Sequence, residues 1–250
     1  VVGTAGCVNR GTYDNLAGIG EFCTSEDIWF HVDAAFGFWI LLAESKWSSL
    51  INGISMANSI ALDFHKWTGV PYSCGACLIN DRDLHYKTFS DRPAYLAASN
   101  TGNPGSNGLA GGDLWFCDYG FDLSRGFMAL KAWTVLKSVG TRKLGLSITD
   151  NCRQAARMAS IVKDRNRRGQ QSVTVACDVV SNVCCLRIRD GVNVKILAEQ
   201  LQLARIVCYS TTMVDGVECI RAALVNHRTT DEDIDVAIEA LFSFVEKYKE

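Results

Sequence analysis

Three side chains of complementary chemistry fall at the ends of two short apolar runs. Ile28-Trp-Phe-His-Val-Asp-Ala-Ala-Phe36 delivers Asp33, and Ser59-Ile-Ala-Leu-Asp-Phe-His-Lys-Trp67 delivers His65 and Lys66. A carboxylate, an imidazole and an amine around one crevice suit pyridoxal phosphate. The amine forms a Schiff base with the cofactor aldehyde. The carboxylate pairs with the pyridine nitrogen and keeps it protonated, so that the ring can take electrons from a substrate carbanion. His31 shares Asp33's side of its strand and reads as a satisfied core histidine.

The elements that must position this trio follow from the pattern around it. Both runs are β-rich and end in polar and small residues, as buried parallel strands do when their carboxyl ends open into a site. Asp14 to Cys23 has helical spacing, and a further strand is expected over Cys74 to Asn80. The βαβ-like alternation argues for a mostly parallel sheet. Residues 81–113, with Pro93, Pro104 and the polar run from Asn100 to Gly108, read as one long loop. Helices are expected over Leu123 to Val139, stopped by Gly140, and over Leu144 to Arg165, ending in the basic turn Arg165-Asn-Arg-Arg-Gly169, read as a solvated helix end. Strands over 172–177 and 182–189, a helix over 192–204, strands over 206–214 and 218–225, and a helix over 231–248 capped by Thr230 complete the chain. The expected fold class is α/β: part of a large domain over 1–140, then a small α+β domain on an antiparallel sheet over 141–250.

Composition narrows the function classes. A chain of 250 residues buries a substantial core, and a net charge of −2 suggests neither nucleic acid nor a membrane surface as partner. The apolar run Ala34 to Ala43 is too short to span a bilayer. Eleven cysteines are scattered along the chain, several of them (Cys7, Cys77, Cys184, Cys185, Cys208) in strand-like apolar runs. That placement reads as buried reduced thiols in a cytoplasmic protein rather than a disulfide framework. Cys74-Gly-Ala-Cys77 has the spacing of half a zinc or redox site, but it lacks a second pair, and no metal is expected.

Thr4-Ala-Gly6, His31-Val-Asp-Ala-Ala35 and Asp63-Phe-His-Lys-Trp67, in this order and separation, resemble the group II pyridoxal-phosphate-dependent amino-acid decarboxylases, which include glutamate, histidine, tyrosine and aromatic amino-acid decarboxylases. The resemblance runs on through Arg92-Pro-Ala-Tyr-Leu96, Leu123-Ser-Arg-Gly-Phe127, Leu130-Lys-Ala-Trp133 and Ile220-Arg221. It implies an aspartate-aminotransferase-like fold (fold type I), conversion of an L-amino acid to its amine and carbon dioxide, and a dimer with shared active sites.

By position, the resemblance implies that Lys66 is the Schiff-base lysine and Asp33 the partner of the pyridine nitrogen. Ala35 would lie against the ring face, and His65 beside the imine and the cofactor phosphate, assisting proton transfer. Tyr95 would come from the neighbouring subunit to protonate the carbanion; relatives with phenylalanine there behave as oxidative aldehyde synthases. Arg221 lies on an otherwise apolar strand, where a buried arginine wants an anion. The resemblance makes that anion the substrate α-carboxylate, with a structural ion pair as the alternative. Arg125 reads as structural or phosphate-proximal.

Two positions depart from the family. Val8 stands where many relatives have a cofactor-touching threonine. Asp63 holds a place often taken by asparagine, where a carboxylate near the phosphate is unfavourable. The family's phosphate-cradling loop and ring-stacking histidine precede the matched residues. The chain therefore reads as the carboxyl-terminal half to two-thirds of an enzyme, completed by an upstream segment or a companion chain. Trp67, Tyr72 and Phe36 lean towards a bulky substrate or belong to the core. The alternatives are an aldehyde synthase or carbon–carbon lyase on the same cofactor, and a non-catalytic subunit of the same fold.

Overall fold

The computed structural model describes residues 1–90 and 116–248. Strands β1 (Val2–Thr4), β2 (His31–Asp33) and β3 (Ser59–Asp63) pair in parallel in that order, and β4 (Gly75–Ile79) closes the edge antiparallel to β3. Register aligns Thr4, Asp33 and Ala61 across the sheet. Their neighbours Val32 and Leu62 point to the opposite face, where they are buried with Phe30 and Leu16. Helix α1 (Leu16–Ser25) makes the first crossover; Asn15 caps it, its Oδ1 accepting from the Gly18 N–H at 3.1 Å. Where the chain leaves β1 and β2, Gly6 and Gly37 approach so closely that a Cβ on Gly6, at φ +86°, would lie 2.6 Å from the Gly37 Cα. Only glycines allow this crossing.

The strands are shorter than the apolar runs suggested. After Asp33 the chain turns, with the Phe38 N–H bonded to the Ala34 carbonyl, and passes through a 3-10 segment (Phe38–Leu42) and the short helix α2 (Ser45–Ser48) before β3. The expected loop over 81–113 is corrected at its start, where Arg82–Phe89 forms helix α3. Asp81 Oδ1 accepts from the Leu84 N–H at 2.8 Å, Asp83 lies in the first turn and Lys87 in the last, a set of end charges that suits the helix dipole. Residues 91–115, and with them Tyr95, lie outside the described residues. Helix α4 (Met128–Val139) begins at Met128 rather than Leu123, because a turn closes from the Met128 N–H to the Gly126 carbonyl. It ends at Gly140, at φ +80°.

Helix α5 (Thr141–Arg167) then threads both cores. Ile148 and Cys152 pack with Trp39, Ile40 and Trp67 under the parallel sheet, while Met158, Ala159 and Val162 pack into the second core. That core lies under an antiparallel sheet of order β5 (Val173–Val175), β6 (Val183–Ile188), β8 (Val217–Ala223), β7 (Ser210–Val214), together with helices α6 (Val194–Leu203) and α7 (Asp231–Lys247). Thr230 begins α7 with a reciprocal capping box: its side chain accepts from the Asp233 N–H, and its own N–H donates to Asp233 Oδ2 at 2.8 Å. The basic end of α5 is not simply solvated. Arg165 pairs with Glu239 and lies over the Phe242 ring at 4.7 Å, tying α5 to α7.

Candidate active site

The end of β3 is held from three sides. The Trp39 indole N–H donates to the Asp63 carbonyl at 2.8 Å, and the Phe64 and His65 N–H groups reach the Cys74 carbonyl. The Cys74 N–H donates in turn to His65 Nδ1 at 3.0 Å. Nδ1 is thus an acceptor, so the proton of the neutral ring sits on Nε2, which lies 3.8 Å from Asp63 Oδ2. The Tyr72 ring covers the imidazole with centroids 4.4 Å apart.

Lys66 Nζ lies 2.5 Å from the same Asp63 oxygen. This contact answers what Asp63 does here: it is the counter-ion of Lys66. The carboxylate has room because Gly75 stands opposite it across the β3–β4 ladder, where a Cβ would come within 2.8 Å of Asp63 Oδ1. The pair is partly open, with 33% of the Lys66 side chain and 17% of Asp63 exposed.

One strand over, Asp33 is exposed at the carboxyl end of β2, aligned with Ala61 and so two residues before Asp63 in register. Its Oδ1 accepts from the Ala35 N–H at 3.1 Å, and no ion pair ties it to a cation among the described residues. Ala35 is half-buried beside it. An exposed carboxylate beside a small side chain at the end of β2, and a partly open lysine beyond the end of the adjacent β3, form a donor set whose chemistry fits a protonated pyridine and an aldehyde. His31 is satisfied, as expected, but is half-buried rather than core. Its Nδ1 meets Ser59 Oγ at 2.7 Å, and that hydroxyl also accepts from Trp29 Nε1 at 2.9 Å.

Arg221 approaches from β8. Its Nε donates to the Val8 carbonyl at 2.7 Å and Nη1 to Ser210 Oγ at 3.0 Å. The guanidinium lies 5.8 Å from the centre of Phe36, which in turn stacks on Trp67, the residue after Lys66, at 6.3 Å. Burial lowers the Arg221 pKa from its ordinary value, and among the described residues no carboxylate pairs with it. The structural ion pair is therefore not what is found. Val8, at the position of the missing threonine, contributes its backbone carbonyl to this arginine.

Of the three aromatics, Trp67 and Phe36 are buried, with the Trp67 N–H bonded to Asn151 Oδ1 of α5 at 3.0 Å. Tyr72 alone of the three is exposed, at 78%. Arg125 donates to the Phe116 carbonyl at 2.8 Å and helps wall a groove of about 920 Å³ that runs from Gly75 past Phe116, Leu123, Phe127 and Met128. Among the described residues no group of His, Cys, Asp and Glu could hold a metal. Cys74 is buried, and Cys77 is exposed on β4 rather than buried as its apolar run suggested. Cys208 is exposed as well. Asp63 and Gly75 are the site residues that sequence reasoning undervalued. The three-residue spacing of Asp63 and Lys66 was the available signal.

The family model described as the pyridoxal-dependent decarboxylase conserved domain matches residues 1–188. An aromatic-L-amino-acid decarboxylase of Bacillus atrophaeus is 30% identical over 239 residues, which is 94% of this chain and 48% of that protein. An L-2,4-diaminobutyrate decarboxylase of Rhizobium meliloti (strain 1021) is 27% identical over 244 residues, 96% of this chain and 47% of that one. The chain thus spans about half the length of these relatives. Among solved structures, Oryza sativa TDC with PLP and tryptamine superposes with a TM-score of 0.82 at 21% identity, over 99% of this chain and 50% of that one. The architecture is accordingly that of fold type I, with a mostly parallel sheet followed by an antiparallel one.

Proposed function

Because the chain belongs to the pyridoxal-dependent decarboxylase family, we propose that it carries the Schiff-base half of an enzyme that uses pyridoxal phosphate to convert an L-amino acid to its amine and carbon dioxide. The observation that supports this reading is that Asp33 ends β2 while His65 and a partly open Lys66 follow the end of β3, the parallel strand beside it. The cofactor, when bound, supplies the electron sink.

The chain's own residues do the rest. Lys66 offers the amine that anchors the aldehyde. Asp33 holds the proton on the ring nitrogen, and Ala35 leaves space for the ring face. His65, whose tautomer is set by the Cys74 N–H, keeps its proton on Nε2, 3.8 Å from Asp63 Oδ2, and assists proton transfer beside the imine. Arg221, with no carboxylate partner among the described residues, receives the substrate α-carboxylate, and Tyr95 returns the proton after carbon dioxide leaves. Residues 1–140 form the cofactor-bearing part and 141–250 the small domain.

We also read the site as shared across a dimer and completed by polypeptide carrying the amino-terminal half. Phe127, which lines the groove that reaches Gly75, and Leu130 and Trp133 beyond it on α4 expose an apolar stripe, a surface suited to burial against protein. A cytoplasmic setting agrees with the free thiols, six of them buried, and among the described residues no helix is long and apolar enough to cross a membrane.

The test is to assemble the full-length enzyme, screen the amino acids for carbon dioxide release, and identify the product. Amine formation, lost in Lys66→Ala by about a thousandfold or more, is expected. Aldehyde with ammonia would replace the decarboxylase by a synthase, and turnover unchanged in Lys66→Ala would end the assignment.

A further inference from the structure

The ion pair at the end of β3 has a consequence for how the cofactor enters. Asp63 is held by Trp39 through its carbonyl and given room by Gly75, and its Oδ2 lies 2.5 Å from Lys66 Nζ. Resting on the reading of Lys66 as the Schiff-base lysine, we infer that Asp63 is a positioning residue that restrains the free lysine as one half of an ion pair, and so sets how fast the protein captures a pyridoxal aldehyde.

Capture is a condensation. The paired ammonium releases a proton to solvent, and the freed nitrogen lone pair adds to the aldehyde carbon. A C=N bond then forms as the aldehyde oxygen departs in water, with no oxidant or reductant required. The nitrogen must leave its contact with the carboxylate before it can reach the aldehyde carbon, and the carboxylate repels an incoming phosphate.

The surroundings do not offset that charge. His65 faces Asp63 at 3.8 Å through Nε2, and β4 presents only the backbone of Gly75. Tyr72 covers the imidazole from outside. Lys131, on α4, directs its amine to the carbonyls of Pro71, Tyr72 and Ser73 at 3.0 to 3.2 Å. Among the described residues, Lys66 is therefore the only lysine or arginine paired with Asp63.

The experiment follows the absorbance of imine formation when the cofactor-free full-length protein is mixed with pyridoxal or pyridoxal phosphate at neutral pH. Borohydride reduction and peptide mass spectrometry then locate the modified lysine. Asp63→Asn is expected to capture both aldehydes about threefold to tenfold faster than the parent protein. Raising the salt concentration should speed capture of pyridoxal, which lacks the phosphate, in the parent and leave the variant unchanged.

Capture at Lys66 that is equally fast or slower in Asp63→Asn overturns the inference while leaving the functional reading intact. Should that variant not fold, the parent salt series decides, and a flat rate refutes the restraint. Reductive attachment at a lysine other than Lys66 overturns the functional reading itself, and the inference with it.

Discussion

The central strand of the second sheet and the edge strand of the first differ sharply. In β6, Val183, Cys184, Cys185 and Leu186 are all buried, covered by α5, α6, α7 and neighbouring side chains. In β4, Gly75, Cys77 and Leu78 are exposed, and the adjoining α4 buries only Ala132 while Trp133 stands 60% open. Both regions have a core, but only the second closes around its own sheet. The first keeps its apolar residues beneath the strands and leaves the edge, the groove and the candidate site open. The second region thus encloses its sheet while the first carries the candidate site, with α5 packed into both.

Core truncation should expose this contrast most strongly. Leu186→Ala, at a fully buried site, is expected to cost about 2–5 kcal/mol and to lower the urea midpoint accordingly. A much smaller loss there would mean that the second core is not close-packed.

A smaller effect should appear at high pH. Burial pushes the Cys152 and Cys185 thiols up to about 12 from the usual 9.0. Between those values the unfolded chain has lost its thiol protons while the native protein keeps them, so stability is full below pH 9.0 and falls as pH rises towards 12. A urea-midpoint series across that window should show the fall, and Cys185→Ser should flatten part of it. In native protein a thiol reagent should label the exposed Cys77 and Cys208 before Cys185; early labelling of Cys185 would show the second sheet to be open.

Thr230→Ala removes one arm of the α7 capping box and should cost about 1 kcal/mol, read as a shift in melting temperature. Smallest of all, Trp133→Ala on the exposed stripe should change the stability of the isolated chain by less than about 0.5 kcal/mol. The same change should weaken assembly of the complete enzyme, as measured by sedimentation. A large loss of stability in the isolated chain would show that α4 belongs to a closed core after all.

Much of this was legible in residue patterns, for identifiable reasons. The β-rich runs before Asp33 and Lys66 placed both at strand ends because parallel strands are buried and their termini are not. Thr230 with Asp233 announced a helix start because capping is local. The helix over 82–89 was missed although Asp81 and Asp83 signalled it, because the proline- and glycine-rich composition of the following residues dominated the reading. Cys77 and Cys208 were misread because an apolar run does not say which of its faces is covered.

Local chemistry therefore determined which residues could act, in what order along the chain, and which cofactor would suit them, since strand periodicity, caps and reactive side-chain types are written in neighbouring positions. Only the tertiary structure decided that Gly75 stands opposite Asp63 and makes room for its pair with Lys66, and that Arg221 reaches Phe36 from a distant strand. Those facts depend on strand register and on how the two cores pack along one helix, and both are set by contacts between residues far apart in sequence.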